Sequence, residues 1–471
     1  MNKEKLLIKN TAIVSLGKIC TQLITFFLLP LYTYILSTEE YGIVDLLNTL
    51  VSLFMPIVTL QIEQGVFRYL LDARESRDKQ KKVITNTFIF IIFQTILYLL
   101  VFVLVSHWIN NDYKYFLAIN LVAHMLSSVV LQISRGLGDN ARYAIGSFLS
   151  GAATVILNVI FIVVFRWGAY GMLAATLLGN VICTVYIFFS KKLQSYISFK
   201  EKDKILLKQM LKYSVPLVPN MISWWIVNAS DRMIISVILG IAVNGIYSAA
   251  NKFSGVISTL YSVFNLTWTE SAALNIDAED KDQFFSKIFD FTVRFFGAIC
   301  LGVIAAMPFV FPILINEKFG DAYYQIPILM IATMFNILVS FLGSIYVAKK
   351  LTKEIAKTSI LAAIINIVVH LSLVYFIGLY AASISTAVAY FTMFIYRIID
   401  SRKYVKISIS KNLVFSYIVV LLITMITYYV QNLIVSGIIL LIVIIYALII
   451  NKNSMNFILH LLKKFTKHKN A

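Results

Sequence analysis

Lys and Arg fall almost entirely on every second connection between long apolar stretches of this chain, a pattern that a water-soluble core cannot use and a bundle of membrane-crossing helices requires. Windows of about 20 residues, the length that crosses a hydrocarbon core of roughly 30 Å, define fourteen spans: 10–31, 42–68, 84–106, 115–134, 143–165, 168–190, 213–239, 244–268, 288–315, 323–347, 355–376, 379–398, 413–432 and 434–450. Of the 41 basic residues, 33 lie on one side, among them Lys3 to Lys9, Arg74 to Lys82, Arg135, Arg142, Lys191 to Lys212, Lys349 to Lys357 and Arg397 to Lys411. Only Lys114, Arg166 and Lys318 lie on the other, and five sit inside spans: Lys18, Arg68, Arg232, Lys252 and Arg294. The positive-inside rule then places both termini in the cytoplasm.

The net charge of +18 follows from that topology and from attraction to anionic inner-leaflet lipid, so no nucleic-acid partner is expected. With 59% hydrophobic and 14% charged residues, little chain is left for a water-facing domain. The segment Met455 to Asn470 reads equally as an amphipathic helix on the cytoplasmic interface or as a disordered tail. Cys20, Cys183 and Cys300 each lie in an apolar span without paired spacing, which argues for core filling and against disulfides or a metal site. The first apolar stretch is a full span with no small-residue cleavage site after it, so it is expected to stay in the mature protein.

The connections are too short to fold as catalytic domains. The chain carries no GxxxxGK[ST] loop and no HExxH. Its histidines, His107, His124, His370, His460 and His468, are scattered, and the two inside spans read as core residues. The expectation is therefore a transporter and not an enzyme, with no metal and no organic cofactor. An internal repeat agrees: "ILSTEEYGI" (Ile35 to Ile43) aligns with "ILGIAVNGI" (Ile238 to Ile246) at an offset of 203 residues, with Ile, Leu, Gly and Ile matched. Six spans separate the copies, so the halves share one orientation and an axis along the membrane normal.

The segment Tyr213 to Ser271, with paired prolines, Asp-Arg in mid-helix, a Gly-Ile-Tyr-Ser turn and a Trp near the end of the next helix, resembles Wzx-type polysaccharide repeat-unit flippases. Leu28 to Leu50 and Gly65 to Glu75 are similar to the first two helices of that family. The resemblance implies the multidrug/oligosaccharidyl-lipid/polysaccharide exporter fold: an all-α integral membrane protein of about 14 transmembrane helices, two pseudo-symmetric six-helix lobes around a V-shaped central cavity, and two C-terminal helices. On this chain the lobes are 1–190 and 213–400, joined by a cytoplasmic linker at 191–212 and followed by helices within 413–450 and a basic tail at 451–471. It further implies a bacterial cytoplasmic-membrane protein that moves undecaprenyl-diphosphate-linked oligosaccharide from the inner to the outer leaflet by alternating access, with membrane lipids, polysaccharide polymerase and glycosyltransferases as partners.

A charge near the bilayer centre is costly, and intramembrane ions face a partner or a wet cavity. Arg232 lies seven residues before Leu239, and Lys252 seven after Gly245, each roughly 10 Å from the outer helix end at 1.5 Å per residue. Two readings stay open: snorkelling for Arg68 and structural ion pairs for Lys18, Arg232 and Lys252, or a cationic cavity in which all four hold the lipid diphosphate. Trp224, Trp225, Tyr247, Tyr261 and Trp268 are candidate faces for the glycan, against a packing role. Glu63 and Asp231 are candidates to carry H⁺ or Na⁺ in an antiport cycle. The competing functions are a drug antiporter of the same superfold, a membrane-bound polymerase or glycosyltransferase, and a lipid-binding scaffold.

Overall fold

A computed structural model describes residues 26–108 and 111–452. The first span up to residue 25, with Lys18 and Cys20, lies outside the described residues, as does the segment from Met455 to Asn470. Among the described residues the fold is helical throughout, in this order: α1 Leu29–Ile35, α2 Thr38–Thr59, α3 Ile62–Asp72, α4 Arg77–Ser106, α5 Lys114–Gly136, α6 Asn140–Val159 continuing through a π-turn at Ile160–Val164, α7 Gly168–Ser190, α8 Lys204–Ser214, α9 Leu217–Ile238, α10 Ile241–Asn275, α11 Lys281–Leu314, α12 Ala322–Ala348, α13 Thr352–Ile377, α14 Tyr380–Asp400, α15 Lys411–Val430 and α16 Leu433–Ile450. Eleven of these are long and apolar enough to cross a membrane. The helices α9 and α10 cover two further expected spans but are less apolar, because Asn220, Asn228, Asp231, Arg232, Asn244, Asn251 and Lys252 interrupt them. Among the described residues, thirteen of the fourteen expected spans are thus covered by helices.

Short polar caps set the helix boundaries. Ser37 and Glu40 form a reciprocal capping box at the start of α2, with Ser37 N–H donating to the carboxylate at 2.9 Å and Glu40 N–H to Ser37 Oγ at 3.1 Å. Asp203 caps α8 through Ile205 and Leu206 N–H, and Asn432 caps α16 through Ile434 and Val435 N–H. The described residues fall into two compact units, divided between Ser248 and Ala249 within α10. In the first unit the segment 191–203 is stapled to α4: Thr85 Oγ1 donates to Tyr196 O at 3.1 Å, and Asp203 N–H donates to Asn86 Oδ1 at 3.1 Å.

Three expectations are corrected. The span 42–68 is not one helix: α2 ends at Thr59, and Leu60 and Gln61 sit in the left-handed region at φ +48° and +56° before α3 begins. Pro56 has already removed one helical N–H, and the Thr59 hydroxyl completes the break by accepting Gln61 N–H at 3.1 Å while donating to Met55 O at 2.9 Å. The cytoplasmic connection expected between 268 and 288 is mostly helix, because no Pro or Gly interrupts residues 269–275; α10 runs to Asn275 and α11 starts at Lys281. Arg397, grouped by sequence with the cytoplasmic charges, is 1% exposed. Its Nε and one Nη donate to Thr358 Oγ1 at 3.1 and 2.8 Å, and the other Nη donates to Val339 O at 2.9 Å, so one guanidinium joins α12, α13 and α14. Arg397→Ala is expected to lower the midpoint of thermal unfolding in detergent, since each buried acceptor left unpaired costs about 1–3 kcal/mol; an unchanged midpoint would show that the clasp contributes nothing.

Candidate functional site: a polar cluster at a glycine crossing

The first turns of α2 and α10 cross at two glycines. A Cβ on Gly42 would lie 2.0 Å from Ile241 O, and one on Gly245 would lie 2.0 Å from Thr38 O. Both pairs obey the 203-residue offset, since Thr38 corresponds to Ile241 and Gly42 to Gly245. The contact is therefore locally two-fold symmetric, and glycine on both sides is what lets the backbones approach.

Polar side chains of α2, α9 and the first turns of α10 gather beside that crossing. Asn244 is fully buried and donates to Gly42 O at 3.1 Å and to Asp45 Oδ2 at 3.4 Å. Arg232 Nε lies 3.3 Å from Asp45 Oδ2, an ion pair with side chains 26% and 15% exposed. The neighbouring Asp231 points elsewhere, as a 100° step around the helix requires, and accepts a hydrogen bond from Tyr247 OH at 3.2 Å. Two turns toward the N-terminal end of α9, Trp225 Nε1 donates to Thr49 O at 3.1 Å and Ser52 Oγ at 3.0 Å, tying α9 to α2 again. Arg232 is thus charge-compensated. The contact is an ion pair without a hydrogen bond: Arg232 Nε, though buried, has no hydrogen-bond partner among the described residues.

The other candidates are spread over the fold. Arg68 is on α3, exposed, and paired with Asp72 at 2.7 Å one turn on. Lys252 is half-buried on α10, two turns past Gly245 and beyond the boundary of the first unit. Trp224 and Trp225 are half-buried on α9. Tyr247, Tyr261 and Trp268 are buried at 2%, 4% and 3% exposure with their polar atoms engaged: Tyr261 OH donates to Asn265 Oδ1 at 3.2 Å, and Trp268 Nε1 donates to Phe341 O at 3.2 Å while its ring stacks on Phe341 at 4.3 Å. Glu63 is 4% exposed, just past the break after α2. Sequence reasoning missed Asp45 as the partner of Arg232 and missed Asn244 altogether. The signal for both was present in the repeat, which had already set Gly42 opposite Gly245.

The sequence profile of polysaccharide biosynthesis proteins matches residues 7–268, more than half of the chain. The chain belongs to that family. The whole polar cluster just described falls inside the matched segment. No curated protein matches this polysaccharide biosynthesis protein. Among solved structures, it is similar in fold to the lipid II flippase MurJ in an inward closed conformation, at 15% identity, 94% of this chain and 100% of that chain covered, and TM-score 0.68. It is also similar to an inward-facing multidrug resistance MATE family transporter of the MOP superfamily, at 13% identity, 83% and 98% coverage, and TM-score 0.67, and to the outward-facing conformation of such a transporter, at 15% identity, 84% and 95% coverage, and TM-score 0.57.

Proposed function

We propose that this protein is a flippase that moves undecaprenyl-diphosphate-linked oligosaccharide repeat units from the cytoplasmic to the outer leaflet of a bacterial cytoplasmic membrane, for assembly of a surface polysaccharide. A polysaccharide-biosynthesis sequence on a transporter fold supports the class. The observation that carries the anionic cargo is Arg232, a guanidinium inside a span whose Nε meets Asp45 at 3.3 Å without a hydrogen bond. A diphosphate cannot cross hydrocarbon bare, and such donors replace its hydration by charge-assisted hydrogen bonds. Arg232 is the proposed diphosphate ligand of the first unit, with Asp45 holding it between substrate encounters, and Lys252, Lys18 and Arg68 are further candidate ligands, each tested by itself. Trp224 and Trp225, half-buried on the same helix, are the proposed glycan contacts, and Tyr247, Tyr261 and Trp268 support the walls. Both termini are cytoplasmic on the charge asymmetry, and the partners are the glycosyltransferases that build the repeat unit and the polymerase that consumes it.

The test is flipping of an undecaprenyl-diphosphate oligosaccharide in proteoliposomes. Lys252→Ala is expected to lose most of the flipping and Lys252→Arg to keep it, at equal folded yield. A second reading, export of organic cations, draws on Asp45 and Asp231, two carboxylates within one turn of helix or one ion pair of Arg232. Ethidium efflux in the same vesicles, with no flipping of the lipid, would decide for it.

A further inference from the structure

The second unit carries a pocket of about 400 Å³ whose lining includes none of the candidate cations. That volume falls within the roughly 300–1,000 Å³ of small-molecule sites. Phe311 and Pro312 at the end of α11, Asp321 just before α12, Tyr323 and Tyr324 in the first turn of α12, and Gln431 between α15 and α16 line it. Both connections lie on the face that the Lys and Arg asymmetry makes external.

The rings of the pocket are fixed by the protein itself. Tyr323 stacks on Tyr428 with centroids 4.2 Å apart, and Tyr324 lies parallel to Tyr429 at 6.3 Å, so two adjacent residues of α12 meet two adjacent residues of α15. Hydrogen bonds lock the pairs: Tyr428 OH donates to Tyr323 O at 2.6 Å, Tyr323 OH to Tyr428 O at 3.4 Å and Tyr429 OH to Tyr324 O at 3.0 Å. Phe311 meets Tyr323 edge to face at 5.2 Å. Gln431 is the last strut. Its backbone is left-handed, at φ +56°, a conformation that a non-glycine residue keeps only where its surroundings hold it, and its Nε2 donates to Tyr324 OH at 3.0 Å.

Three polar groups of the lining remain for a ligand. Asp321 is an exposed carboxylate, Tyr324 OH accepts from Gln431 and keeps its own proton to donate, and Gln431 keeps its amide oxygen. A lipid chain leaves all three unanswered. A diphosphate meets a carboxylate and no basic residue in the lining. An organic cation answers Asp321 but not the Tyr324 O–H. A sugar offers C–H faces to Phe311, Pro312 and the tyrosines, and its hydroxyl groups, each donor and acceptor at once, answer all three polar groups.

We propose that this pocket is a carbohydrate-binding site on the outer face, which holds the sugar end of a repeat unit already delivered to the outer leaflet. The repeat unit as the source of that sugar rests on the flippase reading above; the chemistry of the site does not.

Binding measured without transport tests it. The probe is the oligosaccharide hydrolysed from the surface polysaccharide of cells that carry the protein, free of lipid and diphosphate. The readout is magnetic saturation transfer from aromatic protons of the detergent-solubilised full chain to the sugar protons, titrated for affinity. Wild type is expected to give the transfer. Asp321→Ala is expected to weaken the affinity about tenfold or more, the worth of one hydrogen bond to a charged group. Gln431→Gly, which suits the left-handed backbone, is expected to weaken it severalfold. Both residues are exposed, so the midpoint of thermal unfolding is expected to stay unchanged beside the weaker binding. No transfer in wild type, or equal affinity in wild type and both variants, overturns the site. Binding of undecaprenyl phosphate that the same two substitutions weaken makes the pocket a lipid site and overturns it as well. Sugar binding that both variants weaken, in a protein that flips no lipid-linked oligosaccharide, leaves the site standing and removes the flippase reading, whereas flipping without sugar binding removes the site alone.

Discussion

Gly42→Ala is expected to abolish transport and to lower folded yield, and Gly245→Ala to do the same. An added methyl would sit 2.0 Å from a backbone carbonyl oxygen in either case, far inside van der Waals contact, and that neighbour is main chain that cannot swing aside. Overpacking a close contact costs typically about 1–3 kcal/mol when side chains can yield; here two helices must separate, and Asn244, Asp45 and Arg232 lose their registry with them. The two glycines meet across one contact, so the double variant is expected to be little worse than either single one, a coupling of about 0.5–3 kcal/mol. Thermal unfolding in detergent measures the first effect and proteoliposome flipping the second. Additive losses would show that the glycines act at separate places.

The Asp45–Arg232 pair yields the other large effect. Arg232→Ala leaves Asp45 without its guanidinium partner, and breaking a part-buried pair from one side costs up to about 3–5 kcal/mol. Asp45→Asn combined with Arg232→Gln removes both charges while leaving hydrogen-bonding groups for Asn244, and is expected to recover most of the stability. Transport is expected to stay lost in that double variant and to survive in Arg232→Lys. Stability and transport recovering together in the neutral pair would make Arg232 a structural residue only. Neither recovering would mean that the cluster depends on the charges for folding itself.

The wider assignment follows from where these groups sit. A transporter whose cargo carries a diphosphate needs a cation that is held but not fully neutralised, and Arg232 meets Asp45 at 3.3 Å while its Nε makes no hydrogen bond among the described residues. Tyr247 fixes Asp231 away from that face, which keeps the two acids from acting together. The aromatic residues divide by the same criterion. Trp268 and Tyr261 have spent both ring and polar atom on packing within the second unit, whereas Trp225 spends only its indole N–H.

The helical membrane-spanning class, the places of most spans and the repeat were legible in the sequence. Hydrophobic length and the sidedness of Lys and Arg are set residue by residue against the bilayer, with no need to know what packs on what. The glycine pair was legible for a related reason: a repeat puts equivalent residues on a symmetry axis, and only residues without side chains can meet there. The break within 42–68 was not legible, because Leu60 and Gln61 are ordinary residues whose left-handed backbone is imposed by the Thr59 hydroxyl and the helices around them. Nor was the burial of Arg397, a cation that composition alone assigns to the cytoplasmic surface and that three packed helices instead enclose. Partners such as Asp45 for Arg232, 187 residues apart in sequence, belong to the same class. Local chemistry decides whether a segment enters the membrane, but which charge answers which depends on distances between helices, and only the folded chain sets those.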